Sequence, residues 1–382
     1  MTDNDIWTVK AALEWTEGYL ARKGDENPRL SAEWLLGEAC GLRRIELYTG
    51  LERPLSMEER DVLRDYVARR GSGEPLQYIT GEVAFRHIAV KVRPGVLIPR
   101  PETEVLVSEA LALLPSAQRP RAVDSRMTEA EAQELLAALA AEGEAGKDGE
   151  PGGSGGAAPG SDGGAKAAVS GESFVPAAPE FEAGASREAS DRGGSGAGGR
   201  PAAEAASASL LVADVCAGSG CIACSIAYEH PAARVVATDI DPAAVALARE
   251  NASALGLDER VRVLQCDLGA GVPERLMGRF DLVASNPPYV PTDVLAEIPR
   301  EVAAFEPALA LDGGADGLDL VRRLLPWSAQ ALKPGGGFAF ELHEGHLDEA
   351  AALARAAGFQ DVRIVRDLAG RPRVLTGRKP AE

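Results

Sequence analysis

The sequence predicts an α/β protein built on a mostly parallel sheet with helices on both faces. From Leu210 onward, short apolar runs alternate with helix-length stretches, the rhythm of parallel strands joined by crossover helices. The first of these runs leads into a glycine loop, Cys216-Ala217-Gly218-Ser219-Gly220. Later runs lead to Asp239, Asp267 and Asn286, polar groups at strand ends, where open α/β sheets hold their ligands. Hydrophobic residues make up 45% of the 382 positions, ample for a substantial core, and the length makes two domains the default.

Residues 1–73 read as a small helical domain. Leu13, Trp15 and Leu20 begin the pattern, and Trp34, Leu35, Leu36 and Ala39 continue it after Ser31. Val62, Leu63, Tyr66 and Val67 then follow a Ser56-x-x-Glu59 capping box. Residues 74–95 change character: Gln77 to Thr80, Gly81, then Val83, Phe85, Ile88, Val90 and Val92 in near-alternation predict a β-hairpin linking two domains. The prolines of Val96 to Glu104 keep that segment extended until Pro101 and the acids beside it open a helix. That helix carries Leu106, Val107, Ala110, Leu111 and Leu114.

Residues 116–207 are of low complexity. One amphipathic helix is predicted over 128–141, followed by a Gly, Ala, Ser, Pro and Glu-rich tract over 143–206. That tract has too little apolar surface to offset the entropy of ordering it, so disorder is expected. Because loop closure costs grow slowly with length, residues 96–115 and 208–382 are expected to form one domain interrupted by this insertion. Its elements are a strand at 210–215, a helix at 221–229, a strand at 234–238 ending at Asp239, a helix at 242–254 and a strand at 261–265. A strand before Asn286, a helix at 317–332, a turn at 333–336, a strand at 337–342 and a helix at 347–357 follow. Strands at 362–366 and 373–377, so close in sequence, should pair as an antiparallel hairpin at one sheet edge.

Composition narrows the function. A formal charge of −18 and a pI near 4.8 argue against a nucleic-acid-binding surface, which normally shows as a basic patch. No apolar run approaches the roughly 20 residues needed to span a bilayer, and Asp3 and Asp5 stand where a signal peptide would be basic and then apolar; a cytoplasmic protein is expected. Cys221 and Cys224 form a C-x-x-C, but no second Cys or His pair stands at ligand spacing, and His87, His230, His343 and His346 are scattered. No metal site is expected.

The chemistry concentrates at strand ends. A glycine loop lets the backbone approach a nucleotide-like ligand, and an acid about 20 residues further on can accept from both ribose hydroxyls; Asp214, Gly218, Gly220 and Asp239 fit those roles. The loop lacks the full G-x-G-x-x-G spacing that a dinucleotide's pyrophosphate uses, which favours a phosphate-free nucleoside such as S-adenosyl-L-methionine. Asp267 could accept from an adenine amino group with Leu268 beside the ring, or simply cap a turn. Ser285-Asn286-Pro287-Pro288-Tyr289 follows a buried strand, and its two prolines hold the asparagine in a stiff turn. The Asn286 side-chain carbonyl and the Pro287 backbone carbonyl can each accept one N–H of a planar amide or amidine NH₂, while Tyr289 offers a ring to stack on it. Rate would then come from positioning and dipoles more than from a strong base.

With these residues in place, the sequence resembles the PrmC/HemK family of protein-(glutamine-N5) methyltransferases, which modify the Gly-Gly-Gln motif of peptide chain release factors. The likeness covers nearly everything outside 116–207. It includes Glu74 to Gly81, Leu97 to Glu104, the Asp214 to Gly220 loop, Asp239, Asn286 to Tyr289, and Phe305-Glu306-Pro307 ahead of Leu309 to Leu311. The resemblance implies a Rossmann-like class I methyltransferase domain with a seven-stranded sheet, a helical amino-terminal domain that binds the protein substrate, and a hairpin linker. It also implies that Asn286, Pro287, Pro288 and Tyr289 hold the glutamine, with Asn286 and Tyr289 as catalytic residues. S-adenosyl-L-methionine would be held by Asp214, Cys216, Ala217, Gly218, Ser219, Gly220, Asp239, Asp267, Leu268 and Asn286. The expected partner is a release factor, met by a monomer without direct nucleic-acid or membrane contact. The sequence departs from the family at Cys216-Ala217, where Gly-Thr is more usual, and at Leu268, where some relatives carry an aromatic. Rival readings are a ribosomal-protein glutamine methyltransferase, an adenine-N6 DNA methyltransferase, and an S-adenosylmethionine-binding adaptor without activity. The missing basic segment counts against DNA, whose binding is dominated by phosphate neutralisation, and the intact Asn-Pro-Pro-Tyr counts against an idle adaptor.

Overall fold

A computed structural model describes residues 7–115, 209–298 and 304–382. The helix predicted over 128–141 and the disorder expected over 143–206 lie outside the described residues. The amino-terminal part is α1 (Val9–Lys23), α2 (Pro28–Cys40), α3 (Arg44–Thr49) and α4 (Met57–Gly71). Their caps are written in the sequence: the Thr8 hydroxyl accepts from Ala11 N at the head of α1, and Ser56 and Glu59 form the capping box of α4. Gly24 and Gly41 close α1 and α2 in the left-handed conformation. Val9, Leu13, Leu20, Leu35, Leu36, Leu63 and Val67 meet in one cluster, which is what gives these short helices their stability.

A short helix, α5 (Leu76–Thr80), precedes a hairpin of β1 (Glu82–Phe85) and β2 (Ile88–Lys91). Here the expectation of extended chain at Gln77–Thr80 is corrected. Pro75 sits at the N-cap and Gly81, at φ 79°, stops the turn by donating to Gln77 O at 2.8 Å. The helical turn lets adjacent residues serve different neighbours: Ile79 joins the amino-terminal cluster, while Tyr78 packs with Val92 and Ile98 and its hydroxyl donates to Val96 O at 2.7 Å. Tertiary packing decides a five-residue segment whose own preference is weak.

The hairpin is fastened to the following domain at its turn. Arg86 makes a two-pronged contact with Glu229 at 2.6 and 2.7 Å and donates to Glu104 O and Ser108 Oγ at 2.8 and 2.6 Å. Lys91 N donates to Asn251 Oδ1 at 2.8 Å, and Asn251 Nδ2 returns bonds to Lys91 O and Ser219 O. Both side chains of the Arg86–Glu229 pair are only 14% exposed, so removing one leaves the other desolvated without its counter-charge. Arg86→Ala is expected to cost about 3 kcal/mol and to lower the melting temperature by roughly 5 to 10 °C, read by scanning calorimetry; an unchanged transition would mean that the hairpin contributes nothing to the domain it touches.

The larger domain contains α6 (Thr103–Leu113), β3 (Leu210–Val215), α7 (Cys221–Glu229), β4 (Ala233–Asp239), α8 (Pro242–Ala254), β5 (Val261–Gln265) and β6 (Phe280–Ser285). After it come α9 (Asp319–Ala331), β7 (Leu332–Glu341), α10 (Leu347–Ala356), β8 (Gln360–Arg366) and β9 (Pro372–Arg378). The seven strands lie in the order β5-β4-β3-β6-β7-β9-β8. β3 to β7 are parallel, and β9 and β8 form the antiparallel edge hairpin, as the short connection between them predicts. Alternate residues face opposite layers: Leu210 and Val212 join Leu106, Val107, Ile222, Val245 and Ala248 on one side, and Leu211, Ala213 and Val215 join Val321, Leu324, Leu325 and Ala350 on the other. Both faces are covered, so the central strands are mostly apolar, with Asp214 and Asp281 among the few buried polar residues on them.

A second correction concerns Lys333 to Gly336, expected as a turn ahead of the strand. The segment instead lies within β7, whose pairing with β6 steps from Phe280↔Leu332 to Leu282↔Gly337. Gly335, at φ 75°, absorbs the irregularity and donates to Lys379 O at 3.1 Å.

Candidate active site

The parallel order β5-β4-β3-β6 puts four carboxyl ends side by side. At the end of β3, Gly218 and Gly220 take φ of 55° and 79°. The loop is pinned to the next strand: Ala217 N donates to Thr238 O at 3.0 Å, and Gly218 N donates to Asp239 Oδ2 at 2.8 Å. Asp241 N holds the other oxygen, Asp239 Oδ1, at 3.0 Å. Burial nevertheless pushes the Asp239 carboxyl above its ordinary range. Gly220 is required by close packing, since a Cβ there would stand 2.9 Å from the Ala248 methyl of α8. A Cβ on Gly218 would meet nothing within 4 Å, so its α-carbon faces open space.

That space is a cavity of about 390 Å³ whose walls include Cys216, Gly218, Asp239, Asp267, Leu268, Asn286 and Pro288. Ligand pockets usually fall between about 300 and 1,000 Å³. A smaller cavity of about 40 Å³ adjoins it, lined by Ala217, Ser219, Leu97, Arg100, Thr103 and again Asn286. Asn286 therefore stands on both walls, directly after β6. Cys216 and Leu268 hold left-handed backbone, φ 62° and 49°, at the two positions where the sequence departs from the PrmC/HemK pattern. Left-handed backbone costs a side chain about 1 kcal/mol or more, which explains a preference for glycine at the first.

The remaining candidates line neither cavity. Asp214 is fully buried beneath the loop, where its Oδ2 accepts from Ala223 N at 2.9 Å, its Oδ1 has no partner, and burial pushes its carboxyl up to about 8. It braces the start of α7. Gly220 shapes the loop from behind. Pro287 and Tyr289 lie past the cavity edge; the Tyr289 ring centroid is 6.5 Å from that of His343, and burial pushes its hydroxyl up to about 12. Cys221 and Cys224 are buried on α7. Among the described residues no group of three or more His, Cys, Asp or Glu could hold a metal ion.

Four features escaped sequence reasoning. Arg100 grips Glu306 through one nitrogen at 2.7 and 2.9 Å, joining the segment before α6 to the chain that roofs the cavity. Arg323 pairs with Asp267 at 2.5 Å on the cavity wall. Thr103 Oγ1 accepts from Asn286 Nδ2 at 3.3 Å, and Glu341 lies buried at the end of β7. Arg100, Thr103 and Glu306 lie within Leu97 to Glu104 and Phe305 to Pro307, stretches that name no partner, and nothing in the sequence singles out Arg323 or Glu341.

The PrmC N-terminal domain model matches residues 11–81, and the methyltransferase small domain model matches residues 203–300. The chain is 34% identical to the release factor glutamine methyltransferase of Geobacter sulfurreducens over 98% of each chain. It is 34% identical to that of Moorella thermoacetica over 96% of each, and 32% identical to that of Rhodopirellula baltica over 99% of each. A methyltransferase from Pyrococcus furiosus aligns with 45% of this chain and 76% of its own at 21% identity and a TM-score of 0.35.

Proposed function

The chain belongs to the release factor glutamine methyltransferase family, and from that premise we propose how its own residues perform the reaction. The activity is transfer of the methyl group of S-adenosyl-L-methionine to a glutamine of a peptide chain release factor; the atom modified is the side-chain amide nitrogen of the Gly-Gly-Gln glutamine. No helix among the described residues is long and apolar enough to cross a membrane. A cytoplasmic monomer that meets its substrate without touching nucleic acid fits the charge of −18.

The residues present fit the cofactor. Asp239, which lines the larger cavity, would accept from ribose hydroxyls; Gly218 leaves the space a side chain would fill; Asp267 and Leu268 would border the adenine. Cys216, Ala217, Ser219 and Asn286 would stand beside the methionine end, while Asp214 and Gly220 act through the loop that they hold. Bound there, S-adenosyl-L-methionine supplies an electrophilic methyl group on a sulfonium.

The chain's own work is on the acceptor. An amide nitrogen is a poor nucleophile because its lone pair is conjugated with the carbonyl. Asn286 Oδ1 and Pro287 O take one N–H each, which fixes the amide plane and aims the nitrogen at the methyl group, so that approach rather than basicity limits the step. Pro288 and the Tyr289 ring confine the glutamine side chain. The proton displaced from nitrogen leaves to water after transfer.

One observation carries this reading: Asn286, on a proline-stiffened turn, lines both the cavity of the nucleoside loop and the smaller cavity beside it. The test is incubation with radiolabelled S-adenosyl-L-methionine and, separately, a release factor, a ribosomal protein and DNA, followed by mapping of the label. Label on the release-factor glutamine is expected. Label on adenine, or on no glutamine of the release factor, would overturn the substrate assignment.

A further inference from the structure

Asp267 and Arg323 form an ion pair that adds little to the fold. The contact measures 2.5 Å, and the two side chains are 48% and 53% exposed. Pairs this exposed contribute little to stability, so its place on the wall of the larger cavity calls for another reason. The way α9 meets the end of β5 supplies one. Leu320, Arg323 and Trp327 stand three and four residues apart and share one stripe of the helix. Leu320 borders the cavity, Arg323 meets Asp267, and Trp327 lies so close to Gly269 that a Cβ there would stand 2.0 Å from its ring. The stripe thus follows residues 267–269 along the chain.

The backbone of these residues is fixed as well. Cys266 N donates to Asp239 O at 2.9 Å, tying the end of β5 to that of β4, and Ala270 N donates to Asp267 O at 3.0 Å. Cys266 Sγ donates to Leu268 O at 3.3 Å, beside the left-handed backbone of Leu268. With the main chain held at these points, the freedom left to Asp267 is the rotation of its carboxylate. Arg323 Nη2 donates to Asp267 Oδ2 and removes that freedom. One oxygen is occupied and the other is left to the cavity.

A carboxylate oxygen only accepts, and a guanidinium only donates. Facing a purine, the first attracts an exocyclic amino group and repels a carbonyl oxygen at the same position; the second does the reverse. We propose that Arg323 is a positioning residue for base selection: by holding Asp267 it presents one carboxylate oxygen to the exocyclic amino group of the cofactor's adenine, turns its own donor to the pair, and so refuses a purine that carries a carbonyl there. The inference rests on the nucleoside site assigned above. Arg323 acts through Asp267, so its removal should change the preference between bases more than the binding of nucleosides in general.

Calorimetry with S-adenosylhomocysteine and S-inosylhomocysteine, which differ in that group, tests the inference without a methyl acceptor. The native protein is expected to bind the adenosyl compound about tenfold to a hundredfold more tightly, the worth of one hydrogen bond to a charged group. Arg323→Ala should shrink this ratio about threefold or more, the scale of coupling between residues in contact, chiefly by weakening the adenosyl compound. Arg323→Lys should restore most of it, because the contact uses one nitrogen. Asp267→Asn keeps the shape but offers an NH₂ beside its oxygen; it should bring the two affinities close to equal, and adding Arg323→Ala to it should change the ratio no further. A purely structural Arg323 would weaken both compounds alike and leave the ratio unchanged, which would overturn the inference. Equal affinities in the native protein, or tighter adenosyl binding by Arg323→Ala, would do the same. A native protein that binds neither compound would remove the nucleoside site and the inference with it. Base selection without methylation of a release factor would support the inference and remove only the substrate assignment.

Discussion

Asn286→Ala is expected to lower methyl transfer to the release factor by about a hundredfold or more while S-adenosyl-L-methionine affinity changes only a few-fold. The magnitude follows from what the side chain is asked to do. Removing one preorganised dipole from a catalytic site commonly costs 10²- to 10³-fold in rate, and in the proposed reaction Asn286 Oδ1 supplies one of the two contacts that define the amide plane. The backbone carbonyl of Pro287 would remain, but a single acceptor leaves the NH₂ free to rotate about that bond. Cofactor affinity should be spared because the ribose and loop contacts centre on Asp239 and Gly218, joined by a 2.8 Å hydrogen bond. Single-turnover kinetics on the release factor paired with calorimetry separates the two quantities. Parallel losses in both would assign the turn to the cofactor alone.

Asp239→Ala should produce the opposite separation, an affinity for S-adenosyl-L-methionine weakened about a hundredfold or more. Hydrogen bonds to a charged group are worth about 1.5 to 3 kcal/mol each, and the proposed site gives Asp239 two ribose hydroxyls. The same carboxylate also accepts from Gly218 N and Asp241 N, so its removal loosens the loop that it positions. Because burial raises this carboxyl's pKa, cofactor binding should weaken on acidification at a higher pH than an exposed aspartate would give: the protonated form has lost acceptor capacity on one oxygen. Calorimetric titration from pH 8 down to the acid limit of the folded protein, on the native protein and on Asp239→Ala, reads this directly, and a native affinity that falls no earlier than an exposed aspartate would titrate would overturn it.

Much of this architecture was legible because it is local. Cys221–Glu229, Pro242–Ala254 and Val261–Gln265 fall where periodicity and cap residues put them, and Asp239 and Asn286 reach one cavity because parallel strands bring their ends together. What stayed hidden depends on pairing between distant segments. Thr103 and Asn286 are 183 positions apart, and Arg100 and Glu306 are 206 apart; no spacing rule joins them. Beside the glycine loop, Asp214 fits a ligand contact by sequence, yet the side of β3 that it occupies points it beneath the loop and toward α7. Gln77 to Thr80 went astray because a valine-rich hairpin follows at once, and only the Pro75 and Gly81 stops tell the helical turn from a strand.

The position of α6 in the chain sets a timetable for synthesis. Its buried face, Leu106, Val107 and Ala110, belongs against the sheet, and its last turn is tied to Arg378, which donates to Leu113 O at 2.9 Å across 265 positions. An eleven-residue helix has little stability alone. At about 5 to 20 residues per second, the ribosome needs roughly ten to fifty seconds after Leu113 to deliver that anchor. For most of that interval the face of α6 lacks Ala339 of β7 and Val374 of β9, which share its cluster, and contacts so distant in sequence also slow folding once the chain is complete. An enzyme devoted to the factors that end translation thus closes its own core only in the last stage of its elongation, when β7 and β9 arrive.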